Sequence, residues 1–239
     1  KPGSAEFDLF VKEVAREMTV KAGQKCTAIR RALVPAAIAD AVTEALSARL
    51  AKVVTGNPRN DSVRMGPLVN KAQQKAALEG IRQLAAEADV VVGGGAGFKP
   101  VDADAAIAAF VPPTLLRAKS PHEGRAIHDV EVFGPVCTVM PYGSADEAYA
   151  LAARGGGSLA ASVFTGDNAF ATEAALGIAA MHGRILVIDA NVAEASTGHG
   201  IVMPMCVHGG PGRAGGGEEL GGKRGLRFYH QRVAVQAST

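Results

Sequence analysis

The chain has no tryptophan, only 3 cysteines and 5% aromatic residues. Cys26, Cys137 and Cys206 are too few and too widely spaced for the disulfide framework of a small secreted fold, and they fit a reducing cytoplasm. No Cys-x-x-Cys pair or Cys/His cluster has zinc spacing. His199 and His208 lie near one another without a third ligand, so they read as loop histidines and no metal is expected. No apolar run approaches the ~18–20 residues that span a bilayer. Charge of one sign is lacking too. Lys and Arg number 25 against 23 Asp and Glu, a net of +2. Neither nucleic acid nor an anionic membrane is an expected partner of so balanced a chain. Lys1-Pro2-Gly3-Ser4 is neither a signal peptide nor a natural start, and residues upstream of Lys1 are expected.

What remains is a globular composition, 48% hydrophobic and 20% charged, in 239 residues. That length suits one large domain or two small ones. Phe7, Phe10, Val11, Val14 and Met18 recur at helical spacing and predict a helix over 5–21, stopped by Gly23. Further helices are predicted over 36–53, 69–86, 144–153 and 168–180. Strands are predicted over 27–34, 89–92, about 110–116, about 135–141, 159–164 and 184–188. Strands separated by helices of this length imply βαβ units and a mainly parallel sheet. Residues 196–225 are rich in glycine and lack periodicity, as a long functional loop does. A last short strand is predicted over roughly 229–236.

Several glycine clusters invite a phosphate-binding reading and do not earn it. Gly93-Gly94-Gly95-Ala96-Gly97 follows a strand but lacks GxGxxG spacing and a following helix. Gly155-Gly156-Gly157 caps a helix, and the loop at 209–222 has no Gly-Lys-Ser/Thr.

Cys26 carries more chemistry. A cysteine attacks as its thiolate, and Lys21, Lys25, Arg30 and Arg31 lie close in sequence. Gly23 allows a tight turn that lets the Cys26 amide face a developing oxyanion. The plain alternative is an inert cysteine buried at the start of a strand. About a hundred residues later, Glu131 stands just before Phe133-Gly134-Pro135 as a candidate acceptor for sugar hydroxyls.

Gly23-Gln24-Lys25-Cys26, Gly56-Asn57-Pro58 with Met65-Gly66-Pro67-Leu68-Val69, Glu131 to Val136, and Gly217-Glu218-Glu219-Leu220-Gly221 occur in an order that resembles the aldehyde dehydrogenase superfamily across essentially the whole chain. The resemblance implies an α/β fold, a mainly parallel twisted sheet flanked by helices forming the catalytic domain over 1–226. A C-terminal arm over 227–239 would carry an oligomerisation strand, and the N-terminal cofactor-binding domain is absent. It further implies that Cys26 attacks the aldehyde and that Glu131 grips the nicotinamide ribose. Phe133 would either pack against the nicotinamide ring or fill core. Glu219 would assist proton movement, although Glu218 stands where the family has Arg.

The stretches Met18–Arg31, Ser196–Gly200 and His208–Gly222 resemble the semialdehyde dehydrogenases of CoA-linked aromatic degradation. One branch member belongs to phenylacetate catabolism and another to aerobic benzoyl-CoA catabolism, and both stay open. The implied substrate is a small aldehyde, CoA-linked, with NADP as cofactor and NAD possible, in a cytoplasmic homo-oligomer. Arg213 and Lys223 are candidates for contact with CoA phosphates. The family's general-base Glu and oxyanion Asn are expected upstream of Lys1, and Glu6, Glu13 and Glu17 do not fit the base. The competing expectation is a catalytically incomplete fragment or degenerate homologue that acts as an assembly or binding module.

Overall fold

The computed structural model describes every residue except 96, 204, 205, 207, 217–222, 224, 225, 227–229, 232 and 239. Helix α1 spans Ala5–Thr19. Ser4 caps it by accepting from the Phe7 amide, and Glu6 and Asp8 sit in the first turn, where the helix dipole favours anions. Val11, Val14, Ala15 and Met18 form its buried stripe. Strand β1 is Arg31–Pro35 and helix α2 is Ala39–Leu50. Helix α3, Lys71–Leu84, starts at an Asn70 cap that accepts from Gln73 at 2.8 Å.

The remaining elements are β2 (Ala88–Val92), β3 (Thr114–Ala118), the short α4 (Ala126–Asp129), β4 (Val136–Tyr142), α5 (Ala145–Ala153), β5 (Ser158–Phe164), α6 (Asn168–Ile178) and β6 (His182–Ile188). Ser144 and Asp167 cap α5 and α6. No helix among the described residues is long and apolar enough to cross a membrane.

Four strands form one sheet in the order β1-β4-β3-β2. β4 pairs in parallel with β1 and β3, placing Arg31 opposite Thr138 and Leu115 opposite Cys137. β2 pairs antiparallel with β3. β5 and β6 pair in parallel as a separate two-stranded sheet. β4 is central, and its first five residues are buried. Alternate side chains leave opposite faces. Cys137 and Val139 join a core with Leu115, α1 and α2, while Val136 and Met140 join one with Leu116 and α3. A cavity of about 850 Å³ lies between β1 and β5 and extends to Cys26, Glu131 and Phe133.

The α/β class and the mainly parallel pairing are as expected. The antiparallel β2 and the division into two sheets are not. Two strands begin later than their apolar runs. β1 starts at Arg31 rather than residue 27, because the preceding residues fold around a buried guanidinium. β3 starts at Thr114, after Pro112-Pro113, which has no amide to offer a ladder. Of the strand expected over 229–236, residues 229 and 232 lie outside the described residues, and the others form no strand pairing with described residues.

Candidate active site

The turn before Cys26 is strained. Lys21, Ala22 and Gly23 all take left-handed backbone, with φ of 54°, 51° and 68°. Non-glycine residues rarely do so, and such strain clusters at functional sites. It persists because the surroundings hold it. Ala22 is buried in the core with Met65, Leu68 and Val132. The Gln24 side chain accepts from the Val69 amide at 3.0 Å and donates to the Lys21 carbonyl at 3.1 Å. A Cβ on Gly23 would overlap the Gly134 carbonyl and Pro135. The two segments singled out in the sequence therefore touch, backbone against backbone.

Cys26 itself is exposed. Among the described residues its amide has no hydrogen-bond partner, so it is free to donate to a ligand oxygen. Lys25 beside it is bound at 2.5 Å to Glu17, whose side chain is almost fully buried on α1. That pairing consumes Glu17. Thr27 on the other side donates its hydroxyl to the Gly200 carbonyl at 3.3 Å.

His199 is buried rather than a free loop histidine. Burial, with Arg184 nearby, pulls it down to about 4, so the ring is neutral. Its Nδ1 pairs with Ser162 Oγ at 2.7 Å. Arg184 in turn donates to the His199 carbonyl at 2.6 Å. Strand β5, the loop at 196–201 and the nucleophile turn are thus tied together.

On the facing side, Glu131 and Phe133 alternate with buried Val132. The Glu131 side chain is 46% exposed, and Phe133 is 40% exposed, so Phe133 does not fill core. Arg30 lies between the two halves. It donates to the Gly134 carbonyl at 2.6 Å, to Gly23 at 2.7 Å and to Lys25 at 3.2 Å. Its Nε is 3.8 Å from Glu131 Oε1, and its Cζ is 5.5 Å from the Phe133 ring centroid. Burial pulls the guanidinium below its usual value, and Glu131 acts against that.

Arg31 turns the other way. It bonds the Leu151 and Ala152 carbonyls at the end of α5, at 2.8 and 3.1 Å, and His128 Nδ1 at 3.1 Å. Arg31 thereby satisfies carbonyls at the C-terminal end of α5 and places a cation there. Arg213 bonds the His128 and Asp129 carbonyls.

The other cysteines differ. Cys137 is fully buried in β4, and burial pushes its thiol up to about 12. Cys206 is half-buried. No group of three metal-ligating side chains occurs among the described residues. Glu219 lies outside the described residues.

The structure thus brings Cys26, Glu131 and Phe133 to one cavity. Sequence reasoning missed the roles of Arg30, Glu17, Ser162 and His199. Only the doubled Arg30-Arg31 at a strand entrance gave a signal, since successive residues there face opposite sides.

Residues 3–235 match the model of the aldehyde dehydrogenase family. A 3,4-dehydroadipyl-CoA semialdehyde dehydrogenase of Aromatoleum evansii is 58% identical over 211 residues, covering 88% of this chain and 41% of that protein. A Klebsiella aerogenes protein called MaoC is 48% identical over 175 residues, covering 73% of this chain and 50% of that one. The crystal structure of a Staphylococcus aureus betaine aldehyde dehydrogenase in complex with NAD+ superposes with a TM-score of 0.81 at 29% identity, covering 95% of this chain and 42% of that one. The chain spans half or less of the length of these relatives.

Proposed function

The chain belongs to the aldehyde dehydrogenase family, and from that premise we propose that it supplies the nucleophile and the ribose-facing residues of an enzyme that oxidises a CoA-linked semialdehyde to the acid. The observation that carries this reading is the packing of the Cys26 turn on the Glu131–Pro135 segment, with the Cys26 amide unengaged. The identity to the dehydroadipyl-CoA semialdehyde dehydrogenase supports the substrate class.

The residues present suit a nicotinamide cofactor. Glu131 keeps carboxylate oxygens available for a ribose diol, and Phe133 keeps an open ring face. NADP is the proposed cofactor and NAD the alternative; when bound, it accepts the hydride. Cys26 Sγ adds to the aldehyde carbon, and the new C–S bond leaves negative charge on oxygen, against the Cys26 amide. Loss of hydride leaves a thioester on Cys26, which water hydrolyses to the acid and the free thiol. On the family resemblance alone, Glu219 is assigned a part in proton movement. The C-terminal arm is proposed to join subunits. Val233 and Val235 are 73% and 83% exposed, apolar surface that a neighbouring subunit would cover.

The test is Cys26→Ala in the enzyme that carries this chain together with a cofactor-binding domain. A carbon side chain cannot form the thiohemiacetal, so aldehyde oxidation should fall by more than about a thousandfold while cofactor affinity stays within about threefold. Turnover within about tenfold of the parent would end the assignment. Comparing kcat/KM for a CoA-linked and a CoA-free semialdehyde, each with NADP and with NAD, tests the substrate and cofactor.

A further inference from the structure

We propose that Arg30 is a positioning residue, which sets the distance between the nucleophile turn and the Glu131–Phe133 side of the cavity. The inference rests on the dehydrogenase reading for the purpose of that distance, but not for the device itself.

A single guanidinium bonds three backbone carbonyls from two segments, with Arg30 and Gly134 separated by 104 positions. Two of these carbonyls, of Gly23 and Lys25, belong to the turn that presents Cys26. The third, of Gly134, follows Phe133. The same plane lies over the Phe133 ring. No single lysine ammonium reproduces this, because its donors radiate from one atom whereas the arginine fork spreads them across a plane.

Of the two N–H groups left over, the second on Nη1 and the one on Nε, the latter is informative. Arg30 Nε is buried and has no hydrogen-bond partner among the described residues. Its nearest acidic oxygen is Glu131 Oε1, 3.8 Å away, about 1 Å beyond hydrogen-bond distance. Arg30 therefore holds the Glu131 carboxylate by charge without engaging it. The carboxylate stays half-exposed and able to accept from a ligand. Anchoring both halves to one planar group matters because misplacing reacting groups by about 1 Å costs on the order of a hundredfold in rate.

Arg30→Lys and Arg30→Met in the 239-residue protein test this with two thiol probes. Iodoacetamide reads the thiolate, through displacement at a CH2 group. 4-Nitrophenyl acetate reads geometry as well. Cys26 Sγ attacks its acetyl carbon, a C–S bond forms, the C–O bond breaks, 4-nitrophenolate leaves and the thiol proton goes to solvent. The developing oxyanion must then find the Cys26 amide. In Arg30→Lys, acylation should fall at least about tenfold while alkylation stays within about threefold. Hydrogen exchange should quicken together at 24–28 and 133–136 in both variants, with β3 and β5 unchanged.

Proportional loss of acylation and alkylation would reduce Arg30 to a charge and overturn the proposal. So would a lysine variant that behaves as the parent does, or loosening of one segment alone. A parent chain that is not acylated at all would instead defeat the nucleophile reading, and the exchange measurement would still decide the role of Arg30.

Discussion

Gly23 and Gly134 approach so closely that no side chain fits between them. Gly97 separates the two causes of that requirement, because it has the same φ of 68° and nothing lies within 4 Å of the point where a methyl group would stand. Gly97→Ala should therefore cost only the left-handed backbone, about 1–2 kcal/mol. Gly23→Ala should cost distinctly more, because the overlapping atoms are backbone and cannot swing away. Urea midpoints of the two variants check this, and equal losses would show that the contact is not tight.

Glu131→Gln should slow hydride transfer by about tenfold or more while changing cofactor affinity by less than about threefold. A neutral amide still fits, but it accepts more weakly from ribose hydroxyls and orients the ring less well. Single-turnover absorbance measurements in the enzyme carrying a cofactor-binding domain read the two effects separately. An unchanged hydride-transfer rate would remove Glu131 from this role.

His199 links stability to acid. Its folded value of about 4 lies below the ~6.5 of an unfolded histidine. The unfolded chain therefore binds the proton first as pH falls. The contribution is fully present above about pH 6.5, declines below it and is lost by about pH 4, for a total of roughly 3 kcal/mol. His128 and His182 are also lowered by burial, in the same direction. Urea midpoints at pH 7.5, 6 and 5 should fall more steeply for the parent than for His199→Asn. Parallel curves would contradict a neutral, buried His199.

Iodoacetamide on the native protein should label Cys26 and leave Cys137 untouched. Cys137 is fully buried, its thiol is pushed up to about 12, and the thiolate is the reactive form. Peptide mass mapping with and without urea distinguishes them. Labelling of Cys137 under native conditions would mean that β4 opens.

Helical elements were legible because periodicity and caps are local. Val11, Val14 and Met18 sit where the spacing put them, and Ser4, Ser144 and Asp167 cap as their residue types favour. The pairing of the strands was less legible. Nothing near Ala88–Val92 says that β2 will run antiparallel to β3, since that depends on how residues 93–113 return. The meeting of Cys26 with Glu131 was legible only through ordered motifs that resemble a family. The partners of Arg30 and His199 were not legible, because Gly134 and Ser162 lie 104 and 37 positions away. A buried arginine and a solvated one look alike in a string of letters.

The left-handed run at Lys21-Ala22-Gly23 has a practical corollary. A synthetic peptide of residues 18–32 would contain every letter of the nucleophile signature and little of its shape. Two of the three residues favour other backbone conformations when nothing confines them, and the carbonyls that Arg30 ties to Gly134 would face water. Antibodies or covalent probes selected against such a peptide would recognise the denatured chain in preference to the folded one. A probe that prefers the folded chain would in turn report that β4 has docked beside β1.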